Sequence, residues 1–286
     1  INKKLGLVYY AISIIFILTC QDWIKGNILW SFPWLPISGI WSFSELTLHP
    51  FSLIGKWGYS LITYALITGV LFLKLKPIVA LFLVSPFIFV ISLFFFEKAS
   101  IITHESQLNL RLVQPNINQK EKWKLERKQE NFNKLIKLSN KESDDKFDVI
   151  IWPETSLNVN LQTKKNRENI FEYFNNNTNN LILGAVRKEF INKDLKIYNS
   201  LFLFNRHRKE LQVHDKVKLV PFGEFIPFKK FLKLDKIASG NIDFSQGKAI
   251  KPLDIKDGLK ILPLICYEVI FPNLIKKNLK YHIIVN

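Results

Sequence analysis

Phe147-Asp148-Val149-Ile150-Ile151-Trp152-Pro153-Glu154-Thr155 decides the fold. Its apolar run is short and rich in β-branched and aromatic residues, the signature of a buried strand. Pro153 lacks the N–H that a continuing ladder needs. The strand therefore stops there, and Glu154 stands at its mouth. In layered α/β folds such mouths are where reactive side chains project.

The same pattern recurs on either side. Upstream, Leu108-Asn109-Leu110-Arg111-Leu112-Val113 alternates like a strand, and a charged segment from Gln119 to Lys141 favours helix. Downstream, strands are predicted over Asn180–Arg187, Ile197–Phe204, Leu211–Leu219, Leu259–Ile265 and Tyr281–Val285. Helices are predicted over Thr163–Asn175, Phe228–Leu234 and Asn273–Leu279. Strands interleaved with helices give an α/β layered domain.

The first hundred residues read differently. Leu5–Trp23, Phe51–Leu73 and Pro77–Phe96 are apolar stretches, each near the ~20 residues that a membrane-spanning helix needs. Lys3 and Lys4 precede the first, and Lys74 and Lys76 join the second to the third. The positive-inside rule puts both sites in the cytoplasm. The connection from Ile24 to Pro50, with Trp30, Trp34 and Trp41, then lies outside, as does everything after Phe96. Trp favours membrane interfaces, and the prolines there break helices.

The net charge is +16, from 40 Lys and Arg against 24 Asp and Glu. No zinc-finger spacing or aromatic RNA-binding signature accompanies it, so nucleic acid is excluded as the expected partner. Anionic lipid head groups suit it better. Two cysteines are too few for a disulfide framework. No metal-ligand cluster or phosphate-cradling glycine loop is visible, and no cofactor is expected. The sequence opens at Ile1, contains no Met and stops at Asn286 directly after a strand-like run. That predicts a fragment cut at both ends.

Three strand ends carry the candidate chemistry. Glu154 closes the first, where partial burial gives a carboxylate base strength. Its plain alternative is a solvated or capping acid. In the second, Asp215-Lys216-Val217-Lys218-Leu219-Val220 runs into Pro221-Phe222-Gly223-Glu224-Phe225-Ile226-Pro227. Gly223 is expected to supply a turn that lets Glu224 point back. Lys216 stabilises an oxyanion if its ammonium faces the site, and is otherwise a solvated charge. The third ends in Ile265-Cys266-Tyr267-Glu268. Beside a base and a cation, Cys266 becomes a thiolate nucleophile; without them it is inert packing. Glu268 shares its side if the strand continues. His207, His214 and His282 flank other segments and read as structural.

Glu, Lys and Cys on three strand ends, in this order, resemble the nitrilase superfamily. The closer resemblance is to the apolipoprotein N-acyltransferase family. It rests on Phe32-Pro33-Trp34-Leu35, Leu112-Val113-Gln114-Pro115-Asn116-Ile117 with Trp123, Trp152-Pro153-Glu154-Thr155, Leu219 to Pro227, and Cys266-Tyr267-Glu268. The resemblance implies an α/β fold, a nitrilase-like αββα sandwich at 101–286, C-terminally truncated, after a transmembrane helical region at 1–100. That region would hold about three spans and a Trp-rich external loop at 25–50. It implies a multi-pass protein of the bacterial inner membrane with its catalytic domain in the periplasm.

The reaction implied is ping-pong. Cys266 takes an acyl chain from a phospholipid, typically phosphatidylethanolamine, and passes it to the N-terminal amino group of a diacylglyceryl-cysteine apolipoprotein. Glu154 is then the base and Lys216 the oxyanion stabiliser. Glu224, Tyr267 and Glu268 support them, and Trp34, Trp123 and Pro227 are candidate substrate contacts. Relatives carry further spans, a Ser-Asn-Asp segment after the final strand, and commonly His where Lys218 stands. Two other readings fit parts of the pattern. One is a membrane-anchored amidase of the nitrilase type; the other is a non-catalytic lipid-binding membrane protein.

Overall fold

Alternate residues of three neighbouring strands divide between two cores. In the computed structural model, Ile150, Leu181, Leu183, Phe202 and Phe204 join Leu135 in one cluster. Val149, Ile182, Leu201 and Leu203 join Leu253, Ile255, Ile261 and Val285 in another. A strand turns successive side chains to opposite faces. Strands that are apolar at every position therefore need cover on both faces, and these strands have it. Each buried Val, Leu, Ile or Phe contributes roughly 1.5–3 kcal/mol.

The structure describes residues 3–28, 32–74, 76–96, 108–141, 146–157, 161, 170, 172–173, 180–205, 210–227, 243–256, 258–276 and 278–286. They form two compact units, Ile1–His104 and Glu105–Asn286.

In the second unit, β1 (Leu110–Leu112), β2 (Val149–Ile151), β3 (Asn180–Ile191), β4 (Asp194–Asn205) and β5 (Glu210–Asp215) form one sheet in chain order. The first three run parallel, and the β3–β4 and β4–β5 pairs are antiparallel. A second sheet holds β6 (Leu253–Lys256), β7 (Leu259–Pro263) and β8 (Ile283–Val285). One core lies between the sheets. The other lies between the first sheet and the helix Lys128–Ser139, whose Ser139 hydroxyl accepts the Trp152 indole N–H at 2.8 Å. This is the helix–sheet–sheet layering of the expected α/β sandwich. The helices expected at Thr163–Asn175 and Phe228–Leu234 fall largely or wholly outside the described residues.

Three expectations are corrected. The strand expected over Leu211–Leu219 ends at Asp215. Lys216 N–H still reaches the Asn199 carbonyl at 2.8 Å, but the next two N–H groups go to a carboxylate from elsewhere. The strand expected over Leu259–Ile265 ends at Pro263, and a 3-10 turn, Cys266–Ile270, follows. The helix expected at Asn273–Leu279 is a single 3-10 turn, Pro272–Leu274.

The first unit is helical: α1 (Lys3–Asn27), a 3-10 turn (Ile37–Trp41), α2 (Glu45–Phe72) and α3 (Pro77–Phe96). Two stretches, Gly6–Asn27 and Pro77–Phe94, are long and apolar enough to cross a membrane. The middle helix is interrupted within the expected span Phe51–Leu73. It kinks at Gly55 (φ 65°, ψ 174°), a backbone region open essentially to glycine alone. Residues 56–72 after the kink reach about 26 Å at ~1.5 Å per residue, against a ~30 Å hydrocarbon core. The expected loop is shorter too, because α2 already begins at Glu45 and carries Pro50 inside it. Trp41 is held within the unit, its indole donating to Thr63 Oγ1 at 2.9 Å. Trp34 is exposed and stacks on Phe32 with ring centroids 5.9 Å apart.

Candidate active site

Three chain segments converge where strands of the two sheets end. The β2 end turns at Pro153, and Glu154 follows. Gly184 of β3 makes this turn possible. A Cβ there would press on Thr155 N and lie 2.6 Å from Glu154 Cα. The turn docks on β3 through the Ser156 hydroxyl, which donates to the Gly184 carbonyl at 3.1 Å. The β5 end delivers Lys216, and Gly247 packs against the Asp215 carbonyl with no room for a side chain. The β7 end delivers Cys266.

Lys216 is buried, at 1% exposure, so its solvated alternative is overturned. Its ammonium lies 3.0 Å from Glu224 Oε1 and 3.7 Å from Glu154 Oε1. Glu224 does point back, and its other oxygen accepts the Val220 N–H at 2.8 Å. The residue with the unusual backbone in that turn is Phe222 (φ 62°), whereas Gly223 has an ordinary negative φ; this corrects the expectation for Gly223. Thr155 (φ 46°) and Cys266 (φ 51°) share the left-handed region. Each of the three segments thus holds one non-glycine residue in a sparsely populated conformation.

Asn199 of β4 was not singled out from the sequence, and it touches three of these groups. Its side-chain amide donates to Glu154 Oε1 at 2.6 Å and to Glu224 Oε1 at 3.0 Å, and its backbone carbonyl accepts the Lys216 backbone N–H. The available signal was a polar pair, Asn199-Ser200, inside an otherwise apolar strand. Ser200 donates to Asp215 Oδ1 at 2.6 Å, and Arg187 grips the same carboxylate at 2.8 and 2.7 Å.

Cys266 is exposed among buried neighbours and shares a cavity of about 180 Å³ with Glu154, Asn199 and Gln114. Burial pushes its thiol up, and the negative charges of Glu154 and Glu224 add to that. The Lys216 ammonium and the Tyr267 N–H pull the other way and lose. The Cys266 thiol is therefore harder to ionise than a free cysteine and calls for a base beside it. The lysine is shared with Glu224 and does not outweigh burial.

Glu268 does not share the face of Cys266, because the strand has ended. It is buried at 1% exposure and accepts N–H groups from Val217 (2.6 Å), Lys218 (3.1 Å) and Ile265 (2.8 Å). It fixes the Lys216 and Cys266 segments to one another. Tyr267 is buried and packs edge-on against Phe271. Pro227 is buried at the close of the Phe222 turn. Trp123 lines a different cavity of about 200 Å³, with Lys122, Phe132 and Tyr173, behind the Glu154 turn. Lys122 donates to the Glu154 backbone carbonyl at 2.9 Å.

Among known proteins, the apolipoprotein N-acyltransferase of Rickettsia typhi is 32% identical over 286 residues, covering 97% of this chain and 56% of that protein. That of Rickettsia prowazekii is 30% identical, covering 97% and 56%. That of Brucella suis is 30% identical, covering 92% and 52%. The chain spans about half the length of these curated relatives. The family model described as carbon-nitrogen hydrolase matches residues 109–283, a range that takes in β1 to β7 and runs from before the Glu154 strand to beyond Cys266. With the strand-end site and nearly all of the sandwich inside that match, the chain belongs to the carbon-nitrogen hydrolase family.

Proposed function

We propose that this chain is the catalytic part of a membrane-bound N-acyltransferase that matures lipoproteins through a thioester on Cys266. The observation that carries the reading is the meeting of Glu154 and the Cys266 thiol at one cavity, with the Lys216 ammonium 3.7 Å from Glu154 Oε1. Sequence similarity to apolipoprotein N-acyltransferases over nearly the whole chain supports the substrate class. Gly6–Asn27 and Pro77–Phe94 support a membrane setting, and the lysines at 3, 4, 74 and 76 favour a periplasmic catalytic domain.

Cys266 starts protonated, so the base works during attack. Glu154 takes the Sγ proton while Sγ bonds to the ester carbonyl carbon of a phospholipid, with phosphatidylethanolamine as the expected donor. The carbonyl oxygen gains negative charge beside the Lys216 ammonium. Collapse breaks the carbon–oxygen bond to glycerol, whose oxygen takes the proton from Glu154, and a lysophospholipid leaves. The α-amino group of a diacylglyceryl-cysteine then attacks the thioester carbonyl and gives a proton to Glu154. The carbon–sulfur bond breaks and the proton returns to sulfur. General-base action contributes about 10²–10⁴-fold, and one well-placed oxyanion donor about 10²–10³-fold.

Intact-mass spectrometry after incubation with phosphatidylethanolamine in detergent tests this. A hydroxylamine-labile gain of one acyl chain, absent in Cys266→Ala, is the expected result. A folded, lipid-exposed protein with no adduct sinks the acyltransferase. Ammonia release from a small amide instead would point to an amidase.

A further inference from the structure

We infer that Asn199 is the positioning residue that holds the Glu154 carboxylate against the Cys266 thiol. The inference rests on the proposed roles of Glu154 and Cys266. Its basis is geometric. Glu154 has a half-exposed side chain that is free to swing outward, yet its Oε1 is drawn in by the Asn199 amide at 2.6 Å. That is the one hydrogen bond its side chain makes among the described residues; the Lys216 ammonium stands further off, at 3.7 Å. Glu224 is held independently by Lys216 and by the Val220 N–H. Loss of Asn199 would therefore release Glu154 and leave Glu224 in place.

The orientation of the amide supports the same conclusion. Carboxylate oxygens accept, so the NH₂ group faces both of them. The Asn199 side-chain oxygen, Oδ1, then faces the other way, buried and without a donor among the described residues. A buried polar atom left unpaired is costly and asks for a reason. Here the reason is the placement of the NH₂ between two carboxylates that one lysine serves.

The test follows the charge of Glu154 at the thiol, and needs no lipid. Glu154 raises the proton affinity of Cys266. If Asn199 holds it there, Asn199→Leu lets it leave, and the pH midpoint of Cys266 alkylation by iodoacetamide falls. The same peptide is read by mass for Glu154→Gln, which should fall likewise. In the Glu154→Gln background, Asn199→Leu should add nothing, because effects that pass through one shared partner are not additive. Asn199→Ala, too small to clash, should behave as Asn199→Leu, with thermal midpoints recorded for all variants. A midpoint unmoved by both Asn199 substitutions overturns the inference, as does an equal further shift in the Glu154→Gln background.

Acyl-enzyme formation is the second readout. A base misplaced by about 1 Å should slow it by roughly a hundredfold, even though the thiol has become more acidic. A merely structural residue would not pair those two changes. Wild type that alkylates as described but forms no acyl adduct would refute the acyltransferase and leave the role of Asn199 standing.

Discussion

His214 Nε2 and Glu268 Oε2 lie 3.1 Å apart in a place that water does not reach, at 2% and 0% side-chain exposure. Burial pushes the Glu268 carboxyl up. The hydrogen bond and charge of His214 and the N–H groups of Ile265 and Val217 outweigh it and leave the carboxyl below its ordinary 4.5. The unfolded chain therefore takes up this proton first as pH falls. The contribution of Glu268 to stability is complete above about pH 4.5 and is lost as pH drops through the lower folded value. Glu268→Gln should cost about 3 kcal/mol at neutral pH, the scale of breaking a buried pair. Denaturation measured at several pH values should show that deficit shrinking in acid.

The thiol of Cys266 sits above its ordinary 9.0 through burial and the charge of Glu154, against Lys216. Glu154→Gln should move the alkylation midpoint down, and Lys216→Met should move it up. Acyl-enzyme formation should fall in both, by about 10²–10⁴-fold for the base. A rate in Glu154→Gln that merely tracked thiol ionisation would rise, because there the thiol ionises more readily, and that outcome would contradict base catalysis.

Gly184→Ala should press the Glu154 turn off β3, since the added methyl meets turn backbone and no flexible side chain. Overpacking of this kind costs about 1–3 kcal/mol. The expected pattern is a modestly lowered thermal midpoint with a much larger loss of acyl transfer. Equal losses of both would mean that the turn had not moved.

Arg187→Lys replaces a two-pronged grip on Asp215 with a point charge. The expected cost is about 1.5–3 kcal/mol, the worth of a charged hydrogen bond, measurable by urea denaturation. Asp215 precedes Lys216, so acyl transfer should fall with it. Ser200→Ala, which removes the third bond to the same carboxylate, should act in the same direction and more weakly.

Glu154 and Cys266 were legible because each follows an apolar run, a strong short-range signal, whereas Lys216 follows the mixed strand Glu210–Asp215 and was legible only with the turn after it. Glu224 was legible from its turn, though the backbone twist was assigned to Gly223 when it belongs to Phe222. Propensity cannot reveal that a bulky residue is being forced. The end of β5 at Asp215 was hidden for another reason. Leu219 and Val217 look like strand, but the Glu268 carboxylate takes the N–H groups of Val217 and Lys218 from 51 and 50 residues away. Asn199, Gly184 and Gly247 act through what approaches them in space, and no local pattern records an approach. The three expected spans were read by apolar length alone, which does not register the kink at Gly55.

Thr155, Phe222 and Cys266 each hold a left-handed backbone, and an L side chain there costs of order 1–3 kcal/mol. Glycine would relieve it. For Cys266 that relief removes the sulfur itself, so a dead Cys266→Gly protein should outlast the living one on heating. Any selection for heat resistance alone, in a laboratory library or an immobilised biocatalyst, would therefore enrich chains that have discarded their chemistry, and must be coupled to turnover at every round.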